Sequence, residues 1–488
     1  EVLITMLKSL LNAQFIALSA TIGNPEELAD WLDAKLVEDN WRPVKLYEGI
    51  SLHNNVDFFK EKDGFAVKGI VKDSVFDLAI DTIQKGKQAL VFVSTKKSAE
   101  TVAENLSKAI DKFAESHSIS INNSNPEMSS KILHALSSPT TQCKKLADCA
   151  RNGVAFHHSG LAPLQRNLIE AEFKAGKIKI ICCTTTLSLG LEFPTDRVIV
   201  KDLRRFGGYS QQWIPVLEVK QFVGRAGRPS YHTEGEAIYL AKTEKEKEEI
   251  LERYINGEIE EIYSKLAVEP VLRMYLLSLI AIGFTRTREQ LLNFFEKTFW
   301  AYQYEDMERI EFQINRILDM LKKFNFIYEK ENKLIATNIG LRVAQLYIDP
   351  LTAHRLIFNI EKAAAKGVNE IAVMHAICEA AEMKPLLSVR QSEEDELQEE
   401  LLKHEEMLYA EPEFIDDDFL EEFKTAMMLT DWLNERTEEY LLEKYRIRPG
   451  EFLVKVHNVD WLLYSFEQLA LLLEKKEILA ELAKLRVR

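Results

Sequence analysis

Two arginines three residues apart, Arg225 and Arg228, stand between glycines in the run QFVGRAGRP at 221–229, four and seven residues after Gln221. Arginine's planar fork clamps phosphate or carboxylate through parallel hydrogen bonds. Glycine lets a backbone come close to a ligand. On a helical turn an i,i+3 pair lies on one side. Two like charges held that close repel unless an anion sits between them. Without an anion the run is a surface turn with two solvated arginines, and the run alone leaves both readings open.

The elements around it decide what else can be nearby. QALVFVS (88–94), GVAFHHS (153–159), KIKIICC (177–183), RVIVKD (197–202) and GEAIYL (235–240) read as buried strands. Helical stretches at 97–115, 162–175 and 217–225 separate several of them, which predicts a parallel α/β sheet with helices on both faces. Ligands on such sheets bind beyond the carboxyl ends of the strands. There the sequence places Ser94 and Thr95, then His158, Ser159 and Gly160, then Thr184, Thr185 and Thr186. By strand alternation His157 faces the core and His158 faces the other way.

The 488 residues are enough for several domains, and the formal net charge of −15 argues against binding nucleic acid over the whole surface. It leaves room for a local basic channel. No apolar run reaches the ~18 residues of a membrane span. The opening EVLITMLKSLLNAQFIALSAT has no signal-peptide pattern and reads as a helix followed by a buried strand. The first residue is not methionine, so a fragment of a longer protein is expected. Five cysteines without a CxxC pair suit reduced thiols in a cytoplasm.

After about residue 245 the pattern turns helical. Helices at 266–281, 287–297 and 304–324, a ribbon turning at Glu331-Asn332 and a helix capped at Asn338 suggest a winged helix; a helical domain with one hairpin is the alternative. Residues 350–488 read as helices throughout. The acidic run 391–406 is a solvated helix face. Asp416, Asp417 and Asp418 suit a helix N-terminus better than a metal, and no metal site is expected in this chain. Along the helix 451–474, Phe452, Val456, Val459, Leu463, Phe466 and Ala470 share an apolar face. Asn458, Trp461, Ser465 and Gln468 fall on the opposite stripe. A tryptophan there either packs under a neighbouring helix or waits for a flat partner.

With these pieces placed, the chain resembles the second half of a superfamily 2 helicase. LSAT (18–21) looks like motif III, VFVSTKKSAE (91–100) like motif IV, residues 155–200 like motifs IVa and V, and QFVGRAGRP like motif VI. HHSGL and QxxGRAGRP point to the Ski-like branch. IATNIGLRVAQLYIDP and RPGEFLVKVHNVDWLLYS resemble the winged-helix and ratchet domains of archaeal Hjm-type repair helicases, relatives of the polymerase-theta helicase. The resemblance implies a remnant of the first RecA-like domain (1–45), a second RecA-like domain (46–245), a winged helix (246–348) and an all-α ratchet domain (349–488). The phosphate-cradling GxxxxGK[ST] loop and DExH box do not occur in the sequence and are expected upstream. A helix-hairpin-helix domain is expected downstream.

What the resemblance implies is an ATP- and Mg²⁺-dependent, 3′-to-5′ helicase acting as a monomer on single-stranded, forked or branched DNA in an archaeal cytoplasm. Arg225 and Arg228 are then the finger pair that stabilises phosphoryl transfer, with Gln221 positioning the γ-phosphate or water. Gly190 and Glu192 of motif V line the cleft, with Glu192 a departure from the polar residue of relatives. Ser19 and Thr21 couple the cleft to nucleic acid. Ser94, Thr95, His158, Thr184 and Thr186 contact strand phosphates, and Trp461 stacks on bases. Val454 stands where relatives carry arginine. The insertion LRRFGGYSQQWIPV (203–216) is the family's strand-separating hairpin, with Phe206, Tyr209 and Trp213 as its wedge; a plain surface loop is the other reading. An RNA helicase of the same branch, or a binding module that hydrolyses nothing, are the competing functions.

Overall fold

The computed structural model describes residues 1–487 apart from 12–13, 20–21, 40, 60–61, 72, 118–125, 137–138, 188–194, 207–209, 228–232 and 411–416, and apart from the side chains of 115–117, 186 and 487. Thr21, Gly190, Glu192, Tyr209, Arg228 and Asp416 therefore lie outside the described residues, as does the side chain of Thr186.

The strands in chain order are β1 (Lys45–Leu52), β2 (Asn55–Phe58), β3 (Phe65–Ala66), β4 (Ala89–Phe92), β5 (Val154–His157), β6 (Ile180–Cys183), β7 (Arg197–Val200), β8 (Arg204–Phe206), β9 (Gln211–Trp213), β10 (Glu234–Leu240), β11 (Ile327–Lys330) and β12 (Lys333–Ala336). Eight of them form one sheet in the order β3-β2-β1-β10-β7-β4-β6-β5. From β1 to β5 every pairing is parallel, and β2 and β3 add an antiparallel edge. β4, β5 and β6, apolar but for His157, are buried along their whole length, as strands covered on both faces must be.

The sequence reading found the five central strands and missed β1 to β3. Glu48 and Gly49 break the apolar run of β1, and the signal that remained was the turn His53-Asn54. Both residues have positive φ, 48° and 67°, the type I′ geometry that closes a two-residue hairpin. Arg197 ties this part together from the inside. Buried in β7, it bonds Glu236 of β10 and, at 2.8 Å, both Asp81 and Thr82 of the helix Ser74–Gln84.

The buried strand expected after the first helix does not form. Helix Val2–Leu10 is present, but residues 14–19 have no strand conformation, and Leu18 is 93% exposed. A strand is stable only against a neighbouring strand that takes its N–H and C=O groups, and no described strand runs beside this segment. The first helix instead joins the C-terminal body: Val2 packs in one core with Leu266, Leu276 and Trp300, while Glu1 accepts from Ser264 Oγ at 2.7 Å.

That core runs without a break through the helices around the ribbon and the all-helical region after residue 349. Helices Glu269–Ala281, Arg288–Phe295 and Met307–Lys323 precede the β11–β12 ribbon, whose turn is again a positive-φ pair, Glu331 and Asn332. The short helix Phe299–Tyr304 was not foreseen. The cap of helix Asn338–Leu346 is Thr337, whose hydroxyl accepts from Gly340 N at 3.0 Å, and not Asn338. Asp417 and Asp418 sit in the first turn of helix Asp417–Leu433, where the helix dipole favours acids.

Candidate nucleotide and nucleic-acid interfaces

Helix Val216–Val223 carries Gln221 and ends just before the arginine run. Gly224 closes it, Ala226 forms a parallel bridge with Thr195, and Gly227 has φ 75°. The backbone has thus left the helix by residue 226, so the helical turn expected to run on from Arg225 ends there; Arg228 lies outside the described residues. The cause is local packing. A Cβ on Gly227 would press on Val44 and on the backbone of Gly235, so only glycine lets the turn lie against β10. Arg42 holds the turn from outside, donating to Ala226 O at 2.7 Å and Gly224 O at 3.3 Å. Arg225 is 8% exposed and Gln221 is half-buried.

This turn lies at the amino ends of β7 and β10, beside Thr195 and Gly235. The hydroxyl-bearing loops lie at the opposite edge. Register pairs Phe92 with Cys183 and His157 with Cys183, so the residues after β4, β5 and β6 emerge side by side. Ser94, Thr95, Ser159, Thr184 and Thr185 are brought together as expected.

Their side chains are not equivalent. Ser94 donates its N–H (3.1 Å) and Oγ (3.3 Å) to Asp202, just past β7. Thr95 is exposed, and its Oγ1 caps helix Lys96–His117 by accepting from Ser98 N at 3.0 Å. Thr184 is mostly buried, its N–H donating to His157 O at 3.3 Å. His158 is a correction: its ring is fully buried and stacks on Phe156, Nδ1 accepts from Gly160 N at 3.1 Å, and Nε2 lies 3.2 Å from Glu100. It shapes the loop and does not present its ring to solvent. His157 is buried as expected, 3.0 Å from Glu170. Ser19, on the described side of motif III, has no assigned secondary structure and is exposed.

Between β7 and the arginine helix, β8 and β9 pair antiparallel as a hairpin. Phe206 is 72% exposed at the end of β8. Trp213, expected beside it as a wedge, is placed differently. Its ring lies under the Arg204 guanidinium (4.0 Å), near that of Arg253 (5.4 Å), and edge-on to Tyr254. It anchors the hairpin's base. Sequence reasoning also missed Glu260, whose carboxylate accepts from the first N–H groups of the arginine helix, Val216 at 2.6 Å and Leu217 at 2.8 Å. Burial opposes charge on Glu260, but these two donors, together with its own backbone N–H and the Arg253 charge, outweigh it and hold the carboxyl below its ordinary range. Nothing local in the sequence marks it, because its partner lies some forty residues away.

Trp461 lies on helix Pro449–Leu472, and the stripe it shares with Asn458 and Ser465 is at least partly covered by protein. Ser465 and Lys455 are buried, Lys455 Nζ binding the carbonyls of Met383 and Pro385. Asn458 donates to Glu382 O at 2.8 Å. The helix is enclosed on more than one side, so its polar stripe faces protein carbonyls. A periodicity argument cannot tell those from water.

The helicase conserved C-terminal domain family matches residues 128–230, a helix-turn-helix domain family matches 235–328, and the archaeal helicase domain 4 family matches 371–488. Among curated proteins, the ATP-dependent DNA helicase Hel308 of Methanococcus vannielii is 37% identical over 97% of this chain and 67% of its own length. The proteins of the same name from Pyrococcus horikoshii and Methanocella arvoryzae are 39% and 38% identical, covering 98% and 97% of this chain and 65% and 64% of theirs. The chain spans about two thirds of the length of the curated relatives it matches.

Proposed function

Because this chain belongs to the Hel308 family of ATP-dependent DNA helicases, we propose that it supplies the second RecA-like lobe, the winged helix and the ratchet domain of a 3′-to-5′ DNA translocase. Its substrates are forked or branched DNA met during replication-coupled repair and recombination.

The observation that carries this reading is the separation of two sites across one short strand. The arginine turn sits at Thr195, before the amino end of β7, and the hydroxyl loops lie beyond the carboxyl edge of its neighbours, so more than the ~13 Å length of β7, at ~3.3 Å per residue, separates them. One end suits the charge that develops on a transferring phosphoryl group. The other offers hydroxyls and backbone N–H groups, which hold a nucleic-acid backbone without reading bases. A lobe with both sites can convert a nucleotide-dependent shift at one edge into a step at the other.

Arg225, with Gln221 and Arg228, is assigned to the γ-phosphate of ATP. This donor set is cationic or neutral and fits a polyphosphate. Among the described residues no cluster of His, Cys, Asp and Glu suits a metal ion. Mg²⁺, if it enters with the nucleotide, supplies charge neutralisation there. Phe206 at the hairpin end is assigned to strand separation.

The test is polarity. Full-length protein is given labelled duplexes with a 3′ or a 5′ single-stranded tail and ATP. Unwinding confined to the 3′-tailed duplex supports the assignment; unwinding of the 5′-tailed duplex alone, or of an RNA duplex alone, contradicts it.

A further inference from the structure

The amino end of helix Pro449–Leu472 is seated on the loop that follows β5. Gly450 N donates to Gly160 O at 2.9 Å. A Cβ on Gly450 would run into the carbonyl of Ser159, and one on Gly160 would run into the Arg448 side chain, so the two backbones meet with no space for a substituent. Beside this contact Glu100, on helix Lys96–His117, accepts from Arg448 Nε at 3.0 Å and from Gln142 Nε2 at 3.2 Å, and lies 3.2 Å from His158 Nε2. Lys96, one turn earlier, pairs with Glu451, and Glu451 in turn accepts from Arg448 N at 3.1 Å.

The Glu100 side chain is 14% exposed. Burial opposes its charge, but the His158 ring and the Arg448 guanidinium outweigh that and hold its carboxyl at about 2. The charge is therefore kept and shared between a group of the second lobe and a group of the helical domain. This is a different arrangement from the exposed ion pairs elsewhere on the surface, which are worth little. Two helices, a loop and a backbone hydrogen bond converge on one junction.

We infer that Glu100 is a positioning residue that locks the amino end of the Trp461 helix onto the loop at the strand-contact edge, so that the lobe and the helix shift as one body. The inference rests on the helicase reading. Trp461 lies about 16 Å further along the same helix, at ~1.5 Å per residue, and a packed helix is stiff over that length. A step of the lobe is then delivered to Trp461 without a second hinge. Loss of the lock leaves ATP hydrolysis running in the lobe while the helix lags.

The test uses full-length protein and measures DNA-stimulated ATP hydrolysis and duplex unwinding side by side. Glu100→Gln keeps the shape and removes the charge. The expected result is hydrolysis within about twofold of wild type and unwinding per ATP lowered at least about fivefold, the lower end of the range for coupling between sites. A second variant replaces the junction's other ion pair, Lys96→Cys with Glu451→Cys, and is bridged by a short bis-maleimide. The five cysteines of this chain are buried and do not compete for the reagent. If lobe and helix move together, the bridge leaves unwinding intact and restores it when placed in the Glu100→Gln background. A bridge that abolishes unwinding while hydrolysis continues shows that the two must separate, and overturns the inference. So does a Glu100→Gln protein that unwinds normally, or a bridge that fails to restore it. Wild-type protein with no DNA-stimulated hydrolysis contradicts the helicase reading instead.

Discussion

The indole N–H of Trp461 donates to the carbonyl of Leu346 at 3.0 Å, joining the long helix of the C-terminal region to the end of helix Asn338–Leu346. Arg342 of that shorter helix reinforces the contact by donating to Tyr464 and Gln468. The tryptophan is therefore partly packed, and its one polar group is bound to protein. Only ring surface is left to meet a base.

Substitution should separate the two roles. Trp461→Phe keeps an aromatic face and loses the donor, so DNA-stimulated unwinding is expected to stay within about threefold of wild type, because stacking ignores the donor. Trp461→Ala loses both and should cost roughly 2 kcal/mol of stability, about half of what a fully buried tryptophan loses, together with most of the coupling. Thermal melting and unwinding assays on both variants check this. Loss of unwinding in Trp461→Phe as severe as in Trp461→Ala would show that the hydrogen bond, and not the ring, is what matters.

The hairpin makes a sharper contrast than its sequence suggested. Phe206 is exposed, whereas Trp213 is held between arginines at the base. Phe206→Ala should leave the melting temperature and DNA-stimulated hydrolysis near wild type and reduce duplex unwinding alone. Trp213→Ala should destabilise the hairpin and lower both activities. The reverse pattern would make Phe206 the anchor.

Glu260 caps the helix that carries Gln221 and leads to Arg225. Removing such a cap typically costs about 1 kcal/mol of helix stability. Glu260→Ala is expected to lower kcat for ATP severalfold with KM nearly unchanged, because the loss falls on the groups proposed to act on the transition state. Glu260→Gln, which keeps one acceptor oxygen, should lie between. A rise in KM at constant kcat would mean that the cap supports nucleotide binding instead.

How far the sequence could be read depended on whether a residue's partner was near it in the chain. Strands β4, β5, β6, β7 and β10 were legible because each is a short apolar run, and the loops after the first three followed from strand direction. The course of the backbone just after Arg225 was not legible. It depends on Thr195, Val44 and Gly235, which meet Ala226 and Gly227 only in the folded sheet. His158 was misplaced for a related reason: alternation turned it away from His157, but helix Lys96–His117 and Arg448 cover that side as well. Periodicity left open whether the Trp461 stripe was packed or exposed, because its acceptors, the carbonyls of Glu382 and Leu346, leave no trace in side-chain spacing.

One carboxylate in the helical region should make stability fall with rising pH. Burial pushes Glu422 up to about 7, with Glu379 and Asp418 adding to the shift and Arg355 and Lys384 opposing it. An acid whose folded value lies above its unfolded value binds more protons when folded, so stability is lost as pH rises from about 4.5 through about 7. Glu422→Gln should therefore raise the melting temperature at pH 8 by about 2–4 °C per kcal/mol relieved, and leave it nearly unchanged at pH 5. An equal gain at both values would mean that the charge of Glu422 is not what costs stability.

The central claim is that the arginine turn serves ATP and the opposite edge serves DNA. It is tested most directly by comparing Arg225→Ala with wild type in the full-length protein, measuring steady-state ATP hydrolysis and single-stranded DNA affinity on the same samples. A positioned arginine is worth roughly 10³–10⁵ in phosphoryl-transfer rate. The account predicts a collapse of DNA-stimulated hydrolysis toward that range with DNA affinity within about threefold of wild type, because strand contacts of the kind assigned to the far edge lie elsewhere. Unchanged hydrolysis, or a loss of DNA affinity as large as the loss of rate, would contradict it.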